Sequence, residues 1–157
     1  MESTKSIHQT RSILFFDGYC SLCNKWVDLL LRVLKSRKND STHSSFHLAS
    51  LQGKTAQSIF TEAKRTDLIQ PPLQTVVLYQ RVAGTVGEVE FYTESDAVLK
   101  LFSDFEFPWS MIALFRFVPK FIRNFIYRLI AKNRYQWFGK RNQCRLPTPE
   151  DRKWLLD

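Results

Sequence analysis

The sequence predicts an α/β fold: one sheet between layers of helix, followed by a helical extension. Three observations carry this. Short apolar runs rich in β-favouring residues recur at Ser12–Phe16, Phe46–Ala49 and Thr75–Tyr79. Apolar residues at helical spacing fill the stretches between them. Beyond Phe107 the strand pattern gives way to helical spacing alone.

The elements follow in order. Met1–Arg11 is polar and carries no pattern. Ser12–Phe16 reads as a buried strand. In Ser21–Lys35, Leu22, Trp26, Val27, Leu29, Leu30, Leu31, Val33 and Leu34 cover more than one stripe, so the helix is largely buried. Arg32, Lys35, Arg37 and Lys38 suit the negative end of its dipole. Phe46–Ala49 is the second strand, and strand–helix–strand implies a parallel pair with a right-handed crossover. Lys54–Arg65 predicts a helix, and a loop with Pro71 and Pro72 follows. Thr75–Tyr79 and the weaker Gly87–Tyr92, joined through Gly84, predict a hairpin. Thr93 or Ser95 is placed to cap a helix over Asp96–Phe102. The order βαβα then ββα is that of a thioredoxin-like three-layer sandwich, with an additional helix between its halves.

The remainder is helical. Pro108 and Pro119 suit first turns. Phe121, Ile122, Phe125, Ile126, Leu129 and Ile130 form an apolar stripe, expected to pack on the domain. The 157 residues read as one domain, with a core over 12–105 and a basic helical extension over 106–147 packed on it.

The chemistry is concentrated in "FFDGYCSLC", Phe15–Cys23, where a greasy strand turns into a greasy helix. Cys20 falls at the helix start, where unpaired backbone N–H groups point at its sulfur and favour the thiolate. Cys23 lies one turn on, expected to be the more buried of the two and placed to resolve a mixed disulfide held on Cys20. Gly18 permits the tight turn. Asp17 has two readings: proton acceptor for Cys23, or an Asx-type bond that shapes the loop. A zinc site using Cys20, Cys23, Cys144 and His47 is disfavoured, because Cys144 stands alone where structural zinc takes paired ligands. A haloacid dehalogenase-type phosphatase needs a second acid two positions after Asp17, where Tyr19 stands. Two buried cysteines serving only as small hydrophobes are less expected at a strand-to-helix turn. The sequence alone names no partner for His8, His43 or His47.

No secretory leader or spanning segment is visible, which points to a cytoplasmic, reducing setting in which a close cysteine pair is more often chemical than structural. The net charge of +8 is uneven: Phe107–Pro149 holds nine Lys and Arg and no acid. A solvated helix face is the plainer explanation of that asymmetry.

Asp17-Gly18-Tyr19-Cys20-Ser21-Leu22-Cys23 resembles the DGxCxLC signature of the DCC family of predicted thiol-disulfide oxidoreductases. The likeness continues at "FHLASLQ" (Phe46–Gln52), "YTESDAVLKLF" (Tyr92–Phe102) and "VPKFIRNFIYRLIAKNRYQWFGKRNQCRLP" (Val118–Pro147), covering about residues 12–147. The resemblance implies a thioredoxin-like fold and a redox role for Cys20 and Cys23. Thioredoxins place a cis-proline just before the strand facing the pair; here Pro71 and Pro72 lie farther upstream and Gln74 precedes Thr75. Cys144 reads either as a third redox centre or as a packing residue.

Two functions follow. The first is a thiol-disulfide oxidoreductase using Cys20, Cys23 and Asp17 without cofactor or metal, on a protein or small thiol or disulfide. The second is a non-catalytic thioredoxin-like module whose basic face, with Trp109, Tyr127, Tyr135 and Trp137, holds an acidic partner, a membrane surface or nucleic acid. Contact with nucleic acid or anionic membrane is the lesser expectation.

Overall fold

A computed structural model of the chain describes residues 12–36, 46–70, 75–82, 88–103, 109–143 and 148–156. Expectations for His8, His43, Pro71, Pro72, Gln74, Gly84, Pro108 and Cys144 lie outside these residues.

Four strands form one sheet: β1 (Ser12–Phe16), β2 (Phe46–Ser50), β3 (Val77–Arg81) and β4 (Val89–Thr93), in the order β2-β1-β3-β4. β1 runs parallel to β2 and antiparallel to β3, which pairs antiparallel with β4. Helix α1 (Ser21–Ser36) joins β1 to β2, and α2 (Lys54–Glu62) follows β2. Helix α3 (Glu94–Ser103) follows the hairpin, a 3₁₀ segment spans Trp109–Phe117, and α4 (Lys120–Phe138) closes the series. This is the thioredoxin-like architecture with a C-terminal helix.

The period of two along β1 divides the core. Leu14 and Phe16 face Val27, Leu30, Leu31 and Leu34 of α1 together with Ala97 and Leu101 of α3. Ile13 and Phe15 face Ala56, Ile59 and Phe60 of α2. These four β1 side chains are buried, so the strand is anchored from both faces and its C-terminal end, where Asp17 begins, is fixed.

Helix α2 ends at Glu62, earlier than its pattern predicts. Lys64 takes a left-handed conformation, φ 55°, while its N–H bonds the carbonyl of Thr61 and the Arg65 N–H that of Phe60. These are the paired bonds of a Schellman stop, made here without glycine. At the start of α3, the Thr75 hydroxyl from before β3 accepts the Glu94 N–H, at 2.9 Å. Near the C-terminus, Leu48 N–H bonds Trp154 O and Leu156 N–H bonds Leu48 O, so the last residues cover the open edge of β2.

The apolar stripe of α4 does not pack on the domain. Phe121 is 74% exposed and Phe125 69%, and Ile122, Ile126, Leu129 and Ile130 are exposed with them. Polar anchors on the opposite side turn the helix this way. Arg123 and Lys120 pair with Asp96, at 3.2 and 2.6 Å, and the Tyr127 hydroxyl accepts the Val76 N–H at 2.8 Å. Ala131 and Arg134 are buried on that same inner side.

Candidate functional site

The turn from β1 into α1 is built around Cys20, whose carbonyl accepts the Asn24 N–H and whose sulfur accepts the Cys23 N–H at 3.4 Å. Cys20 therefore occupies the N-cap position, with sulfur where a serine or aspartate oxygen would be. Asn24, buried, donates its amide to the carbonyls of Gly18 (2.9 Å) and Cys20 (2.8 Å), tying the loop to the first turn.

The two thiols titrate apart. Hydrogen bonds from the Cys23 thiol and N–H bring Cys20 down to about 6, against the opposing effect of burial; the Arg134 charge helps and the Asp17 charge resists. Cys23 moves strongly upward, through its bond to the Cys20 sulfur, through burial and through the neighbouring negative sulfur. Both cysteines are free thiols.

Exposure reverses the expected order. Cys20 is 0% exposed, whereas Cys23 is half-buried. The cause lies at the far end of the chain. Cys20 pairs as an antiparallel bridge with Lys140, flanked by the Arg141 N–H to the Tyr19 carbonyl (2.8 Å) and the Ser21 N–H to the Gly139 carbonyl (3.4 Å). Gly139, φ 83° and ψ 159°, makes the turn from α4 into this strap in a region nearly restricted to glycine. Gly139→Ala should strain the turn by about 1–3 kcal/mol and raise the opened fraction by roughly tenfold. Iodoacetamide labelling of Cys20, followed by peptide mass spectrometry, should accelerate accordingly. An unchanged rate means the strap does not control access.

Asp17 is fully buried and both carboxylate oxygens are engaged. Oδ1 accepts the Tyr19 N–H at 3.0 Å, the Asx-type bond, and the Gln52 amide at 2.7 Å. Oδ2 accepts the Arg134 guanidinium at 2.8 Å and the Tyr135 hydroxyl. Gln52 in turn accepts the Gly18 N–H (3.1 Å) and the Ser50 hydroxyl (2.6 Å) through Oε1. Tyr135 is pushed up to about 12 by burial and by its bond to Asp17, so it remains a donor. Two cations approach its ring, Arg134 at 5.0 Å and Lys140 at 5.7 Å from the centroid.

Neither charge nor spacing singles out Gln52 or Arg134, and Tyr135 enters only as a member of the basic face. A signal existed: Gln52 ends "FHLASLQ", and Arg134 and Tyr135 lie in "AKNRYQWFGK", two blocks that carry the resemblance. Both converge on Asp17. Among the described residues no three of His, Cys, Asp and Glu are grouped to hold a metal ion.

Beside the pair, α1, α3 and α4 enclose a cavity of about 320 Å³. Its wall is apolar, with Leu22, Trp26, Phe102 and Ile130 among its residues, and it includes Cys23 and Arg134.

The model of the DCC1-like thiol-disulfide oxidoreductase family matches residues 14–140. The chain belongs to this family. It is 37% identical over 144 residues to YuxK of Bacillus subtilis, an uncharacterized protein, covering 92% of this chain and 93% of that one. It is 29% identical over 137 residues to a chloroplastic DCC family protein of Arabidopsis thaliana, covering 87% of this chain and 70% of that protein. No solved structure matches. The family's description suggests thiol or disulfide substrates, and the cysteine pair with its cap and buried Asp17 cluster falls within the matched span.

Proposed function

We propose that the protein is an enzyme exchanging disulfides through Cys20 and Cys23. The supporting observation is the capped, hydrogen-bonded pair: one thiol brought down to about 6, its neighbour driven up. In the forward sequence the Cys20 thiolate attacks a substrate disulfide, forming a Cys20–substrate disulfide and releasing one substrate half as thiolate. Cys23 then gives up its proton to the departing thiolate or to water and attacks the Cys20 sulfur. This releases the second half as thiolate and leaves Cys20 and Cys23 oxidised to a disulfide; a small-molecule dithiol or monothiols restore them.

Part of the rise in Cys23 is relieved during this sequence. Its largest cause, the bond to the Cys20 sulfur, and a smaller one, that sulfur's negative charge, both vanish once Cys20 is a neutral mixed disulfide, while burial remains. Cys23 thus becomes easier to ionise at the step that needs it. A separate base is not required, and Asp17, with four donors already on it, acts as a positioning residue that fixes the turn.

The substrate half of this reading is narrower than a general protein reductase. In thioredoxins the backbone before the strand facing the pair presents the substrate chain. Here the N–H of Val76, just before β3, is bonded to Tyr127 of α4. The apolar cavity that Cys23 lines lies one helical turn from Cys20, and with the strap opened it suits a disulfide with apolar flanks.

The test is capture on Cys23→Ser, which cannot resolve its intermediate. Intact mass should show a stable Cys20 adduct with an uncharged aromatic disulfide, formed faster than the adduct with oxidised glutathione. The Cys20→Ser, Cys23→Ser double variant should show neither. Absence of both adducts from Cys23→Ser would exclude exchange through Cys20; equal rates would exclude the apolar preference.

A further inference from the structure

The outward side of the C-terminal region is unlike the surface of an ordinary soluble domain. Phe117 is 83% exposed, and the exposed face of α4 carries Phe121, Phe125 and Leu129 in one row with Ile122 and Ile126 beside it. Leu114 and Phe115 of the preceding 3₁₀ segment are exposed as well. Single exposed apolar residues are normal; a continuous row over three helical turns marks a contact surface.

Charge identifies the contact. The stretch Phe107–Pro149 has no acid. Four of its cations are used internally: Lys120 and Arg123 on Asp96, Arg128 on Glu94 at 2.7 Å, and Arg134 on Asp17. Arg116, Lys132 and Arg141 are exposed, and among the described residues none of them has an ion pair. Exposed Trp137 and Phe138 end the helix. A surface of phenylalanine and branched aliphatics, rimmed by cations and ended by aromatics, has the composition of a helix lying in a membrane interface. A second copy of this chain would bring the same cations against them with no acid in the stretch to pair. Nucleic acid would satisfy the cations but not the isoleucines and leucines, since such interfaces are polar and wet. Among the described residues no helix is long and apolar enough to cross a membrane, so this one lies along the surface.

We propose that the outward face of α4 and the adjoining 3₁₀ segment dock on an anionic membrane surface, the phenylalanines entering the acyl boundary and Arg116, Lys132 and Arg141 meeting lipid phosphates. Ile130 belongs both to this exposed face and to the wall of the cavity that Cys23 lines, so docking brings the edge of that cavity to the lipid.

Co-sedimentation of the full-length, reduced protein with vesicles tests this independently of thiol chemistry. Phosphatidylcholine vesicles containing about 30% phosphatidylglycerol should bind it at least tenfold more tightly than phosphatidylcholine alone, and binding should weaken as salt rises from about 0.1 to 0.5 M. The Phe121→Ser, Phe125→Ser variant should bind the anionic vesicles at least about tenfold more weakly. Because both residues face solvent, its circular dichroism and melting temperature should match the parent. Absence of binding to the anionic vesicles would overturn the proposal, and so would binding indifferent to the two serines. A concentration-dependent dimer in sedimentation equilibrium that the serines disperse, with no vesicle binding, would assign the face to a second copy instead.

Discussion

Replacing Arg134 with methionine should destabilise the fold by about 3–5 kcal/mol, the cost of leaving a buried carboxylate without its counterion. Arg134 and Asp17 are both almost fully buried and lie 2.8 Å apart. The other donors on Asp17, from Tyr19, Gln52 and Tyr135, are neutral. For a domain of this size the loss is expected to lower the melting temperature by roughly 10 °C. Adding Asp17→Asn to Arg134→Met should recover much of the loss, because the amide carries no charge to strand and still accepts from Gln52 or Tyr135. A double-mutant cycle by urea denaturation measures the coupling. If Arg134→Met costs less than about 1 kcal/mol, or the two substitutions simply add, the pair is not what holds α4 to the cysteine turn.

That pair also marks the limit of what the sequence discloses. β1 was legible because Ile13–Phe16 is a continuous apolar run, and α1 because its apolar positions wrap more than one stripe. The order of strands and helices then led to the sheet that is observed. The turn with Cys20 and Cys23 was legible because two cysteines at that spacing after a strand have few other uses. Arg134 was not, since an arginine in a basic amphipathic helix reads as solvated; only the fold brings it across 117 positions to Asp17. The end of α2 was missed for a local reason: a Schellman stop usually advertises itself with glycine, and here lysine adopts the left-handed conformation.

The orientation of α4 shows why periodicity alone misleads. Its hydrophobic stripe is real, and burial of that stripe was the natural inference. Arg123, Tyr127 and Arg134 lie along the other side, each bonded to the body of the protein. Three directed contacts set the rotation of the helix, and the apolar row is left for a surface the chain does not supply. The covering of Cys20 by Gly139–Arg141 was illegible for a similar reason. A three-residue backbone pairing carries no side-chain pattern, and its one trace is a glycine after a helix, which ordinarily signals only a helix end.

The Cys20 thiolate should be lost when Cys23 is replaced by alanine, and the loss should appear as a crossing of two pH profiles. The Cys23 thiol bond is the first cause bringing Cys20 from 9.0 to about 6. If the whole shift is lost, the thiolate fraction near pH 7 falls from about nine-tenths to about one-hundredth. A more basic thiolate is also a better nucleophile; with a Brønsted coefficient near 0.45, three units make it about twentyfold more reactive. The two effects oppose each other. Alkylation of Cys20 in Cys23→Ala should therefore be about twentyfold slower than in the parent near pH 6 and about tenfold faster near pH 9, with the curves crossing between about pH 7.5 and 8. Opening of the strap enters both rates as a common factor and leaves the crossing in place. Stability follows the same chemistry with a definite sign. Lowering an acid's pKa in the fold stabilises the charged form, so the reduced parent should gain stability from about pH 6 to about pH 9. Above that the raised Cys23 takes it back, because only the unfolded chain ionises that thiol freely. The Cys23→Ala variant should show neither slope. A Cys20 midpoint that stays near 6 in Cys23→Ala would show that the helix terminus and Arg134 hold the thiolate by themselves, and Cys23 would then serve only to resolve.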